Sequence, residues 1–116
     1  MQPSDIDFLR HILQETNYCL SELHSMNRDD LLTNERLNRA VVRRLEIIGE
    51  ASKKIHPDIK SKYPLIDWFK ITGLRNRLIH EYFGIDYDIV WQILEIEIAP
   101  LKESIEIIIK KESPLT

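Results

Sequence analysis

Turn-forming residues are scarce in this chain, and their scarcity constrains the fold more than any other feature of the sequence. Only 3 glycines and 5 prolines occur among 116 residues. A fold rich in strands needs a turn about every 8 to 12 residues, and turns are built mainly from such residues. The sequence therefore predicts an all-α protein made of a few long helices.

The amount of apolar material sets the size of the core. With 43% hydrophobic residues, the chain can bury one modest core, so we expect a single domain over residues 1–116. The net charge of -3 gives no bulk electrostatic indication of a nucleic-acid partner. A lone Cys19 excludes an intrachain disulfide, and neither an export leader nor a membrane span is evident. We therefore expect a cytoplasmic protein that does not enter the membrane.

Hydrophobic residues at helical spacing predict four helices. Their expected starts are near Asp5, Leu37, Asp67 and Asp86, and their expected ends are near Leu23, Ile55, Gly84 and Ile108. Ser4 and Asp7 resemble a capping box at the first start, and Asp86 is a candidate N-cap of the last helix. Pro100 should kink or split that last helix, which would make five.

Several local patterns refine this prediction. Residues 27–34 look like a polar connector between the first two helices. An interior glycine costs about 1 kcal/mol relative to alanine, so Gly49 and Gly73 should lie at tight helix–helix contacts. Residues 94–98 and part of 105–109 alternate like strands. The absence of turn residues around them favours helix instead.

The stretch from Arg75 to Tyr82 carries the groups most suited to chemistry. It sets a permanent cation, an amide, an imidazole and a phenol within about two helical turns, at Arg75, Asn76, His80 and Tyr82. An arginine can hold a phosphate in a planar fork, and a histidine can move a proton near neutral pH. An asparagine can orient either group. The stretch therefore suits chemistry on a phosphodiester.

Helical geometry indicates that one copy of this stretch is incomplete. On a helix, Asn76 and His80 would share a face, whereas Arg75 and His80 would lie about 140° apart. The two could approach each other through the long arginine stem, a helix end near His80 or a second copy of the chain. Cleavage of RNA by its own 2'-hydroxyl needs both a base and an acid, and the stretch supplies one histidine. A homodimer that pairs two His80 side chains meets that need most simply.

The sequence gives no sign of a metal or cofactor site. His80 and Glu81 are adjacent, and no H-E-x-x-H pattern follows, so a metal-free mechanism is preferred. Arg75 would then stabilise the extra negative charge of the transition state. A purely structural interpretation is also open, in which these side chains cap helix carbonyls or pair with Glu81 or Asp86.

The stretch resembles a known signature. Arg75-Asn76 followed by His80 and Tyr82 reproduces the R-x-x-x-x-H-x-Y pattern of HEPN-domain toxins, and the chain resembles the HepT family. Further landmarks of that family are similar to segments 44–51, 67–68 and 90–91, in the same order. Together the similar segments span about half of the chain.

The resemblance implies an antiparallel four- to five-helix bundle of the HEPN type, with two motifs facing a shared cleft in a homodimer. It also implies a metal-independent endoribonuclease in which Arg75 and His80 are catalytic and Asn76 supports them. By the same resemblance, the partner is an MntA-like nucleotidyltransferase antitoxin, which silences the toxin by transferring AMP to Tyr82. RNA would be the substrate, and Arg39, Arg43 and Arg77 are candidates for further phosphate contacts.

Two other functions fit the sequence. The chain could be a non-catalytic helical module that docks a nucleotidyltransferase or binds a nucleotide. It could also be a structural bundle in which Arg75, His80 and Tyr82 satisfy one another. The surplus of apolar surface on the first and last predicted helices fits a dimer in any of these cases.

Overall fold

Short connections join the α-helices of this protein, whose computed structural model describes residues 3–80 and 82–113. The helices are α1 (Pro3–His24), α2 (Arg28–Thr33), α3 (Glu35–Lys53), α4 (Pro57–Lys62), α5 (Trp68–Thr72), α6 (Leu74–Leu78), α7 (Tyr87–Gln92) and α8 (Ile98–Glu112). A π-helical segment, Ile93–Glu97, joins α7 to α8. The strands β1 (Ile79–His80) and β2 (Gly84–Ile85) form one small antiparallel pair. The predicted all-α class is confirmed.

The core lies where α1 packs against α3 and α8. The predicted apolar stripe of the second long helix is buried on α3, and that of the last helix is buried on α8. The fully or nearly fully buried members of these stripes are Val41, Leu45, Ile48, Leu101, Ile105 and Ile108. On α1 the most deeply buried positions include Leu9, Ile12, Thr16 and Cys19. No helix in the described ranges combines the length and the apolar character needed to cross a membrane.

The predicted polar connector over residues 27–34 is wrong, because most of it forms α2. The helix begins with a capping box in which the Asn27 side chain accepts from the Asp30 N–H and the Asp30 carboxylate accepts from the Asn27 N–H, both at 2.9 Å. Leu31 buries its side chain completely in the core. One buried leucine among polar residues gives too weak a periodic signal to mark so short a helix.

Helix ends also differ from the sequence prediction. Ser4 lies inside α1 and does not cap it, because the helix already includes Pro3. The pair His56-Pro57 starts α4 as well as following α3: the Asp58 N–H donates to Nδ1 of His56 at 3.1 Å, and Pro57 occupies the first turn. Proline is well suited to that position because its missing N–H would have no helical partner there.

The two interior glycines serve different purposes. A Cβ on Gly49 would lie 3.3 Å from the carbonyl oxygen of Ile71 and 3.5 Å from Cβ of Leu74, so the predicted close helix contact is confirmed. At Gly73 the nearest atom would be the carbonyl oxygen of Phe69, at 3.1 Å, which belongs to the preceding helical turn. The predicted helix–helix contact at Gly73 is therefore wrong, and this glycine instead separates α5 from α6.

Pro100 lies near the start of α8, directly after the π-helical segment. The Ile98 N–H donates to the carbonyl oxygen of Ile93, five residues back, as a π-helix requires. Proline cannot donate a helical hydrogen bond, and its ring crowds the carbonyl four residues earlier, so a local widening of the helix accommodates it. Residues 94–98 and 105–109 are helical, and the alternative of strands there is wrong.

Candidate functional site

The helix that carries Arg75 ends at Leu78, two residues before His80. The carbonyl oxygen of Leu78 accepts from the Asp86 N–H at 2.8 Å, and Ile79 and His80 then pair with Ile85 and Gly84. The predicted stacking of Asn76 and His80 on one helical face is therefore wrong. The structure instead has a helix end near His80, which is one of the three arrangements that the sequence left open.

Gly84 makes the turn back from His80 possible. Its φ of 75° lies in the left-handed region, which glycine adopts without the steric cost that other residues incur. The sequence prediction that Gly84 terminates the helix is wrong, because α6 has already ended at Leu78. The glycine closes a hairpin, and that hairpin presents His80 and Tyr82 beside the end of the helix.

Arg75 and Asn76 are exposed on α6. Within residues 3–80 and 82–113, neither side chain forms a hydrogen bond or ion pair. The side chain of His80 is 62% exposed. A cation, an amide and an imidazole are thus all accessible to a ligand from solvent.

Asp86 is the acidic residue that lies within ion-pair distance of His80 among the described residues. One of its carboxylate oxygens caps α7 by accepting from the N–H groups of Asp88 and Ile89, at 3.1 and 3.2 Å. The other oxygen lies 4.0 Å from Nε2 of His80, beyond hydrogen-bond distance. The cap fixes the carboxylate, so it can attract a protonated imidazole without engaging the neutral ring. Glu81, the other acid considered as a partner, lies outside the described residues.

Two aromatic side chains stand on the turn between the strands. Tyr82 is 85% exposed and Phe83 is 84% exposed. The Phe83 ring lies with its centroid 6.1 Å from that of His80, at an interplanar angle of 52°. No hydrogen bond or ion pair joins Arg75, His80 and Tyr82 to one another among the described residues. One of the structural pairings considered from the sequence is present, between His80 and Asp86 at 4.0 Å, and it requires a protonated imidazole.

The second arginine of α6 has a different environment. Arg77 donates two hydrogen bonds to Glu97 in the π-helical segment, at 2.9 and 2.6 Å. These hydrogen bonds raise the pKa of the guanidinium above its ordinary value. Arg39 and Arg43 also form ion pairs, with Glu35 at 2.5 Å and with Glu46 at 3.7 Å. Of the arginines predicted to contact phosphate, Arg75 is the one without such a partner in the described part of the chain.

A separate cluster joins α1 to α3. Arg44 lies 3.2 Å from a carboxylate oxygen of Glu15 and 4.1 Å from the ring centroid of Tyr18. Nε2 of His11 lies 3.5 Å from the other oxygen of Glu15. The sequence singled out none of these residues as a site, because Arg44 is 29 residues away from Glu15 along the chain. We call this group the α1–α3 cluster.

Among the residues that the structure describes, no group of three or more His, Cys, Asp and Glu side chains could hold a metal ion. The groups available for chemistry at the end of α6 are a guanidinium, an amide, an imidazole and a phenol. These are suited to binding a phosphate and moving a proton.

A mainly helical chain that exposes such groups has the chemistry of a small helical domain that binds phosphodiesters. The sequence model of the family described as "Ribonuclease HepT-like" matches residues 9–108. The chain therefore belongs to the HepT-like family, and the resemblance found in the sequence is confirmed. No solved structure gives a significant match.

Named relatives cover nearly all of this chain. A protein of Caldanaerobacter subterraneus named "Putative RNase" is 39% identical, over 90% of this chain and 94% of its own length. One of Methanocaldococcus jannaschii, also named "Putative RNase", is 43% identical, over 89% of this chain and 85% of its own length. A "Probable ribonuclease HepT" of Thermococcus cleftensis is 36% identical, over 91% of this chain and 96% of its own length.

Proposed function

We propose that this protein is the toxin of a type VII toxin–antitoxin pair, a metal-independent endoribonuclease that uses Arg75 and His80. The observation that carries the proposal is the accessibility of both side chains, Arg75 on α6 and His80 two residues after its end. Arg75 has no ion-pair partner among the described residues, and His80 is 62% exposed. Family membership and the names of the relatives support RNA as the substrate.

The proposed reaction is attack of a 2'-hydroxyl on the adjacent phosphorus. The bond from the 2'-oxygen to phosphorus forms, and the bond from phosphorus to the 5'-oxygen breaks. One His80 accepts the proton of the 2'-hydroxyl, and the His80 of a second copy donates a proton to the departing 5'-oxygen. Arg75 stabilises the additional negative charge, and Asn76 supports the pair by helping to position the substrate. The products are a 2',3'-cyclic phosphate and a free 5'-hydroxyl.

A cleavage assay with EDTA in excess tests this mechanism. Purified protein should cut a labelled single-stranded RNA at an unchanged rate, and the upstream product should end in a cyclic phosphate. A rate that collapses with EDTA and returns with added Mg²⁺ would contradict the metal-independent scheme. Absence of cleavage, together with stable binding to a nucleotidyltransferase, would favour the non-catalytic binding module.

The shared cleft of a homodimer makes a quantitative prediction about mixed dimers. If each reaction needs two His80 side chains, a dimer with one His80→Ala subunit is inactive. Wild-type and His80→Ala subunits are mixed in equal amounts and allowed to exchange completely. One quarter of the dimers are then wild type in both subunits, so activity should fall to about one quarter of that of wild type at the same total protein concentration. If each subunit acted independently, the mixture would keep about one half of the wild-type activity. A strictly monomeric mass in light scattering at assay concentration would also contradict the shared cleft.

Tyr82 is the proposed point of control. Its phenol is 85% exposed and lies two residues after His80. In the proposed step the phenol oxygen attacks the α-phosphorus of ATP, pyrophosphate leaves, and the phenol proton passes to a base of the nucleotidyltransferase. The attached AMP adds bulk and negative charge beside the motif, where it competes with RNA for Arg75.

Co-expression with an MntA-like nucleotidyltransferase tests this control. Intact mass should show an added AMP on wild type and on Tyr63→Phe, and no addition on Tyr82→Phe. The Tyr82→Phe protein should remain active as a ribonuclease in the presence of the antitoxin. An AMP adduct that persists in Tyr82→Phe would place the modification elsewhere.

A further inference from the structure

A surface cavity of about 360 Å³ lies against α5 and α6, next to the catalytic motif. Its lining residues are Phe69, Lys70, Gly73, Asn76 and Arg77. We propose that this cavity is a nucleobase subsite, which holds one unpaired base of the RNA strand beside the phosphate that is cut. The proposal rests on the ribonuclease function above and extends it to how the strand is positioned.

Phe69 supplies a stacking surface. Its side chain is 87% exposed, which is unusual for a phenylalanine because exposure of so large an apolar ring forfeits its burial energy. The backbone beneath it is fixed, since the Gly73 N–H donates to the Phe69 carbonyl oxygen at 3.1 Å. Exposed aromatic rings on a fixed backbone are the usual platforms for unstacked bases in single-stranded RNA.

Asn76 supplies hydrogen-bonding groups to the same cavity. Its amide has one acceptor oxygen and two donor hydrogens, and it bonds to none of the described side chains or backbone groups. Such an amide can bind the polar edge of a base. Asn76 directly follows Arg75 on α6, so in this proposal the base held at Asn76 and the phosphate held by Arg75 belong to the same stretch of RNA.

The charges around the cavity also fit a nucleotide. Lys70 is exposed and has no ion-pair partner in the described ranges, so it is available to a phosphate. The charge of Arg77 is engaged by Glu97, which makes that wall of the cavity a neutral surface. Lysine is depleted at the centres of protein interfaces, so the free ammonium of Lys70 beside the ring favours a nucleotide over a protein partner. A single ring flanked by an amide and an ammonium favours a base.

The test measures binding of single-stranded RNA by fluorescence anisotropy, with His80→Ala in every sample to prevent cleavage. Phe69→Ala and Phe69→Leu should each raise Kd by about 5- to 100-fold, because both remove the aromatic face. Phe69→Tyr should restore affinity to within about 2-fold. Leu65→Ala is the matched control: Leu65 is 98% exposed and does not line the cavity, so its loss should leave Kd unchanged.

A second measurement addresses the amide. Oligonucleotides that differ in one base should bind the protein with unequal Kd when Asn76 is present. Asn76→Ala should reduce those differences in Kd. An unchanged Kd for Phe69→Ala would overturn the subsite while leaving the ribonuclease proposal intact if wild type still cleaves RNA. Conversion of Phe69→Ala to a monomer in light scattering would assign the ring to a protein interface and also overturn it. Failure of wild type both to bind and to cleave RNA would remove both proposals.

Discussion

Two places in this molecule contain the same four kinds of group, an arginine, a histidine, a tyrosine and a carboxylate. In one of them the groups contact one another, and we call it closed; in the other the arginine, histidine and tyrosine are exposed to solvent, and we call it open. The α1–α3 cluster consists of His11, Glu15, Tyr18 and Arg44, and the motif consists of Arg75, His80, Tyr82 and the neighbouring Asp86. In the cluster, Arg44 lies 3.2 Å from Glu15, and the side chain of Glu15 is only 4% exposed. In the motif, Nε2 of His80 lies 4.0 Å from a carboxylate oxygen of Asp86.

The difference shows that contacts with neighbouring groups, rather than residue types, distinguish these two places. A buried carboxylate such as Glu15 must be compensated by cations and hydrogen bonds, or its burial would destabilise the fold. The cations that compensate a buried carboxylate are then not available to bind a ligand. An exposed guanidinium such as Arg75 is hydrated in the free protein, and it can exchange that water for a phosphate.

The largest expected contrast is between two histidines. His80→Ala should lower kcat/KM for RNA cleavage by about 10²- to 10⁴-fold, because it removes the group proposed to transfer protons. His11→Ala serves as the control, since His11 contacts Glu15 and lies outside the motif. Steady-state cleavage with EDTA present measures both. Comparable losses of kcat/KM in the two variants would contradict the distinction between the cluster and the motif.

A smaller effect is expected from the ion pair on α6. Arg77→Met and Glu97→Gln should each lower the free energy of unfolding by about 1–2 kcal/mol, because each leaves a partly buried partner without compensation. Urea denaturation of both single variants and the double variant measures their coupling. The double variant should be less destabilised than the sum of the singles, by about 1 kcal/mol. Strict additivity would show that the observed hydrogen bonds do not stabilise the protein.

The smallest effect concerns Cys19, beside the α1–α3 cluster. Burial, with a contribution from Glu15, raises the pKa of this thiol to about 12. The unfolded thiol ionises near pH 8.5 or 9, so its protonation stabilises the native state fully below that pH. The stabilisation is lost as pH rises from there towards 12.

Comparison with Cys19→Ala isolates the contribution of thiol ionisation to the free energy of unfolding. Between pH 8 and pH 10, the free energy of unfolding of wild type should fall by about 1 kcal/mol more than that of the variant. Only the pH dependence is compared, because the variant also leaves a cavity at every pH. Parallel curves for the two proteins would show that the thiol is not protected as the structure indicates.

The sequence could predict those parts of the fold that depend on local patterns. The buried stripes of α3 and α8 follow from helical periodicity, and the Asp86 cap follows from an acidic side chain directly before a helix. The close approach at Gly49 was predictable because an interior glycine is costly unless something packs there.

The remaining features depend on contacts that spacing along the chain does not show. The apolar spacing of Leu74, Leu78 and Ile79 suits a helix, yet pairing with Ile85 draws Ile79 and His80 into a strand. Arg44 and Glu15 are 29 residues apart, so no local sequence pattern predicts their ion pair. The groups in the motif were predictable as residue types, whereas the lack of a described partner for Arg75 and Asn76 appears only in the folded protein.

The central claim, that the open motif acts on RNA and the closed cluster holds the fold, is tested most directly by two arginine variants measured in two ways. Arg75→Ala should lower kcat/KM by about 10²- to 10³-fold and change the free energy of unfolding by less than about 0.5 kcal/mol. Arg44→Ala should lower the free energy of unfolding by about 2–3 kcal/mol, while the folded protein keeps kcat/KM within about 3-fold. Equal activity in Arg75→Ala and wild type, or a loss of stability in Arg75→Ala matching that of Arg44→Ala, would contradict the claim.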